Sequence, residues 1–299
     1  MSDPENKKPI DDVTGIETTG HSWDGIEELN NPLPRWWLWS LYLTIIWAIG
    51  YTIAYPAWPL INGATEGLLG YSTRGEVAAD IDAREAANAE RNAELASADL
   101  ATLSDNDALY RYAVSSGAAV FRTNCSQCHG SGAAGAIGYP NLLDDDWLWG
   151  GNHEQIAYTV RHGVRNEDDD DAHYSEMPAF GEILDKEQIP PLVEYVRSLS
   201  GLEFDAALAE VGADSFADNC TACHAEDGMG DPEQGAPNLT DAIWLYGGDR
   251  EALTHTITYS RFGVMPPWGG RLSEAQVQAV ATYVHQLGGG EADPDPVTD

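Results

Sequence analysis

From Trp36 to Tyr55 the chain carries no charged residue. Twenty residues at about 1.5 Å rise make roughly 30 Å, the hydrocarbon thickness of a bilayer. The stretch therefore predicts a membrane-spanning helix rather than a buried core helix. Trp36, Trp37 and Trp39 crowd one end and Tyr55 and Trp58 the other, the arrangement amphipathic rings take at two membrane interfaces. Its apolar run is too long for a leader peptide, so it reads as a retained anchor. Residues 1–35 are polar, with Pro4, Pro9, Pro32 and Pro34, and are expected to be a mostly irregular tail. Residues 60–75 hold Gly63, Gly67, Gly70 and Gly75 and read as a loop. The stretch EVAADIDAREAANAERNAELASADL is built from strong helix formers and predicts a solvated helical spacer.

Beyond the spacer the pattern repeats itself. Gly117 and Phe121 recur as Gly212 and Phe216, each Phe four residues before a cysteine. NCSQCHG recurs as NCTACHA, YPNL as APNL, and WLWGG as WLYGG. Met177-Pro178 recurs as Met265-Pro266. Each repeat closes on an amphipathic helix, one with Tyr195 and one with Tyr283, and in the second Val277, Val280, Val284 and Leu287 recur at helical spacing. Each repeat is about the size of a common small domain. Gly117 and Phe121 are expected to meet Tyr195, and Gly212 and Phe216 to meet Tyr283, at a crossing of first and last helices.

All four cysteines stand in the two C-x-x-C-H motifs, Cys125–Cys128–His129 and Cys220–Cys223–His224. This is the attachment signature of c-type haem. Two thiols at that spacing reach the two vinyl groups of one porphyrin edge, and the adjacent histidine then lies under the iron. A zinc ribbon would place its pairs roughly 15–20 residues apart, far closer than these. A thioredoxin-like pair belongs beside a βαβ pattern, which is absent from the sequence. A structural disulfide would be indifferent to the histidine.

The sixth iron ligand must come from elsewhere. Met177 and Met265 hold matching places and each precedes a proline, which restricts the residue before it and presents the thioether firmly. Thioether ligation raises a haem potential. Each methionine is expected to serve the motif of its own repeat. His162 and His173, near Met177, are the rival ligands; His21, His153, His255 and His285 read as surface residues. A ligating histidine commonly donates its second ring nitrogen to a fixed acceptor, and the carbonyls of Pro140 and Pro237 are the candidates here.

The charge is strongly one-sided: 49 acidic against 15 basic residues, a formal net charge of −34. That excludes a nucleic-acid partner, which needs Lys and Arg for its phosphates, and favours basic partners. The flanking charges orient the anchor only weakly. The segment from Trp147 to Met177 is longer than that from Trp244 to Met265 and includes Asp168, Asp169, Asp170 and Asp171. That run reads as a solvated loop, with docking of a basic electron donor as the second reading.

In combination these motifs resemble tandem class I cytochrome c domains over roughly residues 108–289. The block NPLPRWWLWSLYLTIIWAIGYTIAYPAWP is similar to the anchor of the dihaem subunit III of cbb3-type cytochrome c oxidase (CcoP/FixP type). The resemblance implies a mainly α fold: a cytoplasmic tail (1–35), one transmembrane helix (36–56), a periplasmic loop and spacer (57–107), two cytochrome c domains (108–201 and 202–289) and a disordered acidic tail (290–299). It implies two covalently bound haem c groups on Cys125, Cys128, Cys220 and Cys223, with His129, Met177, His224 and Met265 as iron ligands. It also implies a bacterial inner-membrane, electron-transfer role, not an enzyme by itself. Electrons would come from a soluble or anchored donor cytochrome c. They would go to a monohaem cytochrome c subunit and then to the haem-copper catalytic subunit, which reduces oxygen and pumps protons, in a complex with a small accessory membrane subunit. The rival readings are a free-standing dihaem carrier serving a reductase and a dihaem peroxidase.

Overall fold

A computed structural model of the chain describes residues 8–294. It divides into two compact units, one up to Ala86 and one from Ala87 onward.

In the first unit the tail is less irregular than its prolines suggest. An antiparallel hairpin pairs β1 (Thr18–Trp23) with β2 (Ile26–Leu29). Asp24 and Gly25 form its turn with φ of 51° and 81°. Asp-Gly is the dipeptide that tolerates two left-handed residues in a row, and the resulting turn matches strand twist. Residues 1–7 lie outside the described residues. α1 (Arg35–Ala54) occupies the predicted span and buries none of its residues against protein, as a helix made to face lipid should. In the expected loop after it, β3 (Pro59–Leu60) and β4 (Gly63–Ala64) make a minimal hairpin. The spacer is the helix α2 (Thr73–Ala96).

In the second unit the end of α2 is not a solvated spacer. Leu95 is wholly buried, and with Leu100 and Leu103 of a 3₁₀ turn (Leu100–Asp105) it joins a haem-motif core. Then come α3 (Asp107–Val120), a π turn (Phe121–Cys125), α4 (Ser126–His129) and α5 (His153–His162). A 3₁₀ turn (Phe180–Glu182) leads to α6 (Ile189–Leu199), α7 (Ala206–Asn219), α8 (Thr221–His224), α9 (Arg250–Tyr259) and α10 (Glu274–His285). Local signals set the ends: Asn152 with Gln155, and Ser273 with Gln276, form capping boxes that start α5 and α10.

The last helices are exchanged between the repeats. α10 packs on α3 and α5, whereas α6 packs on α7 and α9. One core joins Phe121, Ile156 and Val160 to Val277, Val280 and Val284. The other joins Leu192, Val193 and Val196 to Phe216, Leu253 and Ile257. A Cβ on Gly117 would lie 2.8 Å from the Cβ of Tyr283, and one on Gly212 would lie 2.5 Å from the Pro191 carbonyl carbon, so each crossing needs glycine. The Phe121 ring meets Tyr283 at 5.5 Å and Phe216 meets Tyr195 at 5.0 Å. The expected pairing of Phe121 with Tyr195 and of Phe216 with Tyr283 is therefore reversed. Charge follows the same pairing: Arg161 of α5 binds Glu274 of α10, and Arg250 of α9 binds Glu194 of α6 at 2.6 Å. The contiguous segments 108–201 and 202–289 accordingly do not each close their own core. Exchange of like elements costs little because the same kind of interface forms either way.

The end of the chain corrects a further expectation. Residues 290–293 are held rather than disordered: Glu291 N donates to Gly151 O at 2.9 Å, and His153 N donates to Asp293 Oδ1 at 3.0 Å. Residues 295–299 lie outside the described residues.

Candidate haem sites

In each C-x-x-C-H motif the first cysteine, Cys125 or Cys220, is the N-cap of a single helical turn, α4 or α8, that carries the second cysteine and the histidine. All four thiols are free. Burial, and then the neighbouring thiol, pushes Cys125 and Cys220 up to about 11.

His129 Nδ1 lies 3.1 Å from Pro140 O, and His224 Nδ1 lies 3.0 Å from Pro237 O. A carbonyl only accepts, so each Nδ1 carries the proton and each Nε2 keeps its lone pair. Burial lowers both histidines, opposed by those same hydrogen bonds, which favours the neutral imidazole a metal requires. The loops close tightly: a Cβ on Gly135 or Gly230 would lie 2.7 Å from the Pro140 or Pro237 carbonyl.

The methionines cross over with the helices. Met177 lines a cleft of about 380 Å³ together with Cys220, Cys223 and His224 of the other repeat. Met265 packs against the core that holds Cys125 and Trp147. Hydrogen bonds fix the exchange. Met265 N and O bond Val164 O and N at 3.0 and 2.9 Å, and Ser260 Oγ donates to Met177 O at 2.5 Å. Neither methionine therefore lies with the motif of its own repeat, where the default expectation places it. The chain crosses between the two cores after α5 and again after α9, and carries its methionine with it. The rival ligands are otherwise engaged: His162 Nδ1 bonds Asp169 at 3.0 Å, and His173 stacks on Trp149 at 4.4 Å. His153, expected on the surface, is buried.

A haem fits these surroundings. The cleft is lined mainly by apolar side chains, and Trp244 Nε1, buried on its wall, has no partner among the described residues. A carboxylate-bearing macrocycle supplies both an apolar body and an acceptor for that N–H. Residues of the first repeat, Tyr139 and Pro140 among them, also line this cleft. The equivalent aromatics reach across reciprocally. Trp149 covers Gly235, where a Cβ would run into its ring, and Tyr246 covers Gly138, where a Cβ would lie 3.2 Å from its ring. Arg165 clamps the crossover, donating to Gly263 O at 3.1 Å with its guanidinium over Trp149 and Phe262.

Three parts of the chain match known families in series. Residues 15–62 match the N-terminal domain of cytochrome oxidase-cbb3, FixP. Residues 114–200 match cytochrome c, and residues 207–284 match cytochrome c oxidase, cbb3-type, subunit III. The cbb3-type cytochrome c oxidase subunit CcoP of Cereibacter sphaeroides is 64% identical over 276 residues, covering 92% of this chain and 95% of that one. The chain belongs to the CcoP/FixP family. FixP subunits of Sinorhizobium medicae and Rhizobium meliloti are 51% and 50% identical over 287 residues, covering 96% of this chain and 99% of each relative. As in this family, two cytochrome c segments mean two covalently bound haem c groups. The matches to cytochrome c are contiguous along the sequence, so the family pattern follows the repeats while the folded cores do not.

Near the cleft Asp146 titrates high. Burial first, then Asp241, Asp144 and Asp145, raises it from 3.8 to about 6. Its folded value exceeds its unfolded one, so the protein is favoured below about pH 4 and loses stability as pH rises through about 6. Asp146→Asn should remove that loss. Thermal melting should shift upward near pH 7, by on the order of 1 kcal/mol after solvent screening, and stay put near pH 4. An equal shift at both pH values would refute the assignment.

Proposed function

We propose that this chain is the electron-transfer subunit of a cbb3-type cytochrome c oxidase, held in the membrane by α1. The supporting observation is that each ring-fixed histidine has a Met-Pro thioether from the other repeat brought to its core.

Haem c, when bound, supplies one-electron exchange at an iron whose potential follows its axial ligands. Cys125 and Cys128 would hold one group by thioether bonds, with His129 and Met265 as ligands. Cys220 and Cys223 would hold the other, with His224 and Met177. Pro140 and Pro237 orient the histidines and keep Nε2 unprotonated. Pro178 and Pro266 restrict the backbone that presents each sulfur. The mainly apolar lining would limit water at the group, and a histidine and a methionine together would leave the iron no open position for a substrate, which suits charge exchange and not catalysis at the iron.

As a subunit of the oxidase complex the chain has other oxidase subunits as partners. In the finer reading these are a monohaem cytochrome c subunit, the haem-copper catalytic subunit and a small accessory membrane subunit. The donor is a basic cytochrome c drawn to a surface of net charge −34. Asp169 is committed to His162, while Asp168, Asp170 and Asp171 stay exposed to meet such a donor. Because haem is attached to cysteines outside the bacterial cytoplasm, residues after α1 face the periplasm and residues 1–35 the cytoplasm.

Purification of the full chain from membranes tests the proposal. It should co-elute with haem-copper subunits, carry two haems per chain, and oxidise a basic cytochrome c at a rate that falls with ionic strength. A chain that elutes alone, with both haems intact, would favour the free-standing carrier instead.

A further inference from the structure

The end of the chain is pinned by a cluster that electron transfer does not use. His153 begins α5, His285 ends α10, and Asp293 lies in the final described segment. One ligand atom from each falls within 4.8 Å of the others. The two imidazoles stack with centroids 3.6 Å apart and planes 21° from parallel. His285 Nε2 lies 2.8 Å from Glu291 O, so that nitrogen carries the proton and Nδ1 keeps a lone pair. His153 is 8% exposed, its Nδ1 lies 2.7 Å from Asp293 Oδ2, and its Nε2 has no partner among the described residues.

We propose that His153, His285 and Asp293 bind a divalent transition metal ion of the zinc class. Two imidazoles and a carboxylate are a common zinc donor set, with water in the fourth position. The Glu291 carbonyl behind His285 is the kind of outer partner that fixes ring orientation in such sites. The ion would take His153 Nδ1 in place of its proton, so that Asp293 Oδ2, 2.7 Å away, shares it, and the stacked His285 ring would turn to bring its Nδ1 to the same point. His285 and Asp293 are half-buried, which leaves a path for the ion from solvent.

The site joins the start of the first repeat's α5 to the end of the second repeat's α10. The ion therefore locks the exchanged helix and the terminal segment onto the first core. That segment is already aligned: Trp147 Nε1 donates to Gly289 O at 2.6 Å and Gly151 N donates to Glu291 Oε2 at 2.5 Å. A second cluster, His162 with Asp169 and Asp171, is more exposed and offers a single imidazole. It serves as the control.

The test uses the untagged, haem-loaded full chain, stripped with a chelator and dialysed against zinc chloride. Elemental analysis should find one zinc per chain, and thermal melting should rise on loading. His285→Gln and Asp293→Asn should each weaken zinc binding at least about tenfold with haem content unchanged, and His162→Gln should leave it intact. No retained zinc would overturn the proposal. So would binding that survives both His285→Gln and Asp293→Asn, or binding abolished by His162→Gln alone.

Discussion

Replacing Met177 with alanine should open the iron of the haem attached at Cys220 and Cys223, and leave the iron of the first motif untouched. The clearest readout uses chains with one motif disabled. With Cys125 and Cys128 changed to serine, the remaining haem should lose its methionine-to-iron charge-transfer absorption on Met177→Ala and keep it on Met265→Ala. With Cys220 and Cys223 changed instead, the roles reverse. Loss of the thioether should lower the potential of the affected haem by a sizeable share of the ~0.8 V that axial ligation spans. It should also make that ferrous haem bind carbon monoxide. The expectation follows from Met177 lining the cleft of Cys220 and His224, and from Met265 pairing with Val164 beside the first core. A result in which each methionine serves the motif of its own repeat would refute the crossed assignment.

Phe121→Ala should destabilise the protein by about 3–5 kcal/mol, the usual range for a phenylalanine removed from a core. Phe121 is 1% exposed, and its ring lies 5.5 Å from that of Tyr283. In a double-mutant cycle it should couple to Tyr283→Ala by about 0.5–1.5 kcal/mol and not measurably to Tyr195→Ala. Phe216→Ala should show the opposite preference, since Phe216 meets Tyr195 at 5.0 Å. Denaturant midpoints of the four single and four double variants decide the matter. Coupling of Phe121 to Tyr195 would mean that the repeats close on themselves in solution.

Several elements were legible because short-range chemistry suffices to specify them. The uncharged run from Trp36 to Tyr55 can only satisfy its backbone as a helix in lipid, and α1 follows it closely. The C-x-x-C-H spacing names its cofactor without any tertiary contact. The reach from His129 to Pro140, and from His224 to Pro237, is local enough to be anticipated, and both hydrogen bonds are present. The hairpin at Asp24-Gly25 carried its own signal and was overshadowed by the surrounding prolines.

The exchange was not legible, and the reason is physical. α6 and α10 present the same amphipathic pattern, and α3 and α7 the same glycine and phenylalanine, so periodicity allows either pairing. Only contacts between residues far apart in sequence separate the two: Arg161 with Glu274, Glu194 with Arg250, and Val164 with Met265. The same holds for His153, which looks like a surface residue until the end of α10 and the terminal segment fold over it. The sequence alone marked the residues that are candidates to hold two haems and the helix long and apolar enough to anchor them. The tertiary structure decided which methionine and which last helix complete each core, because duplicated segments offer equivalent local surfaces and only long-range complementarity selects between them.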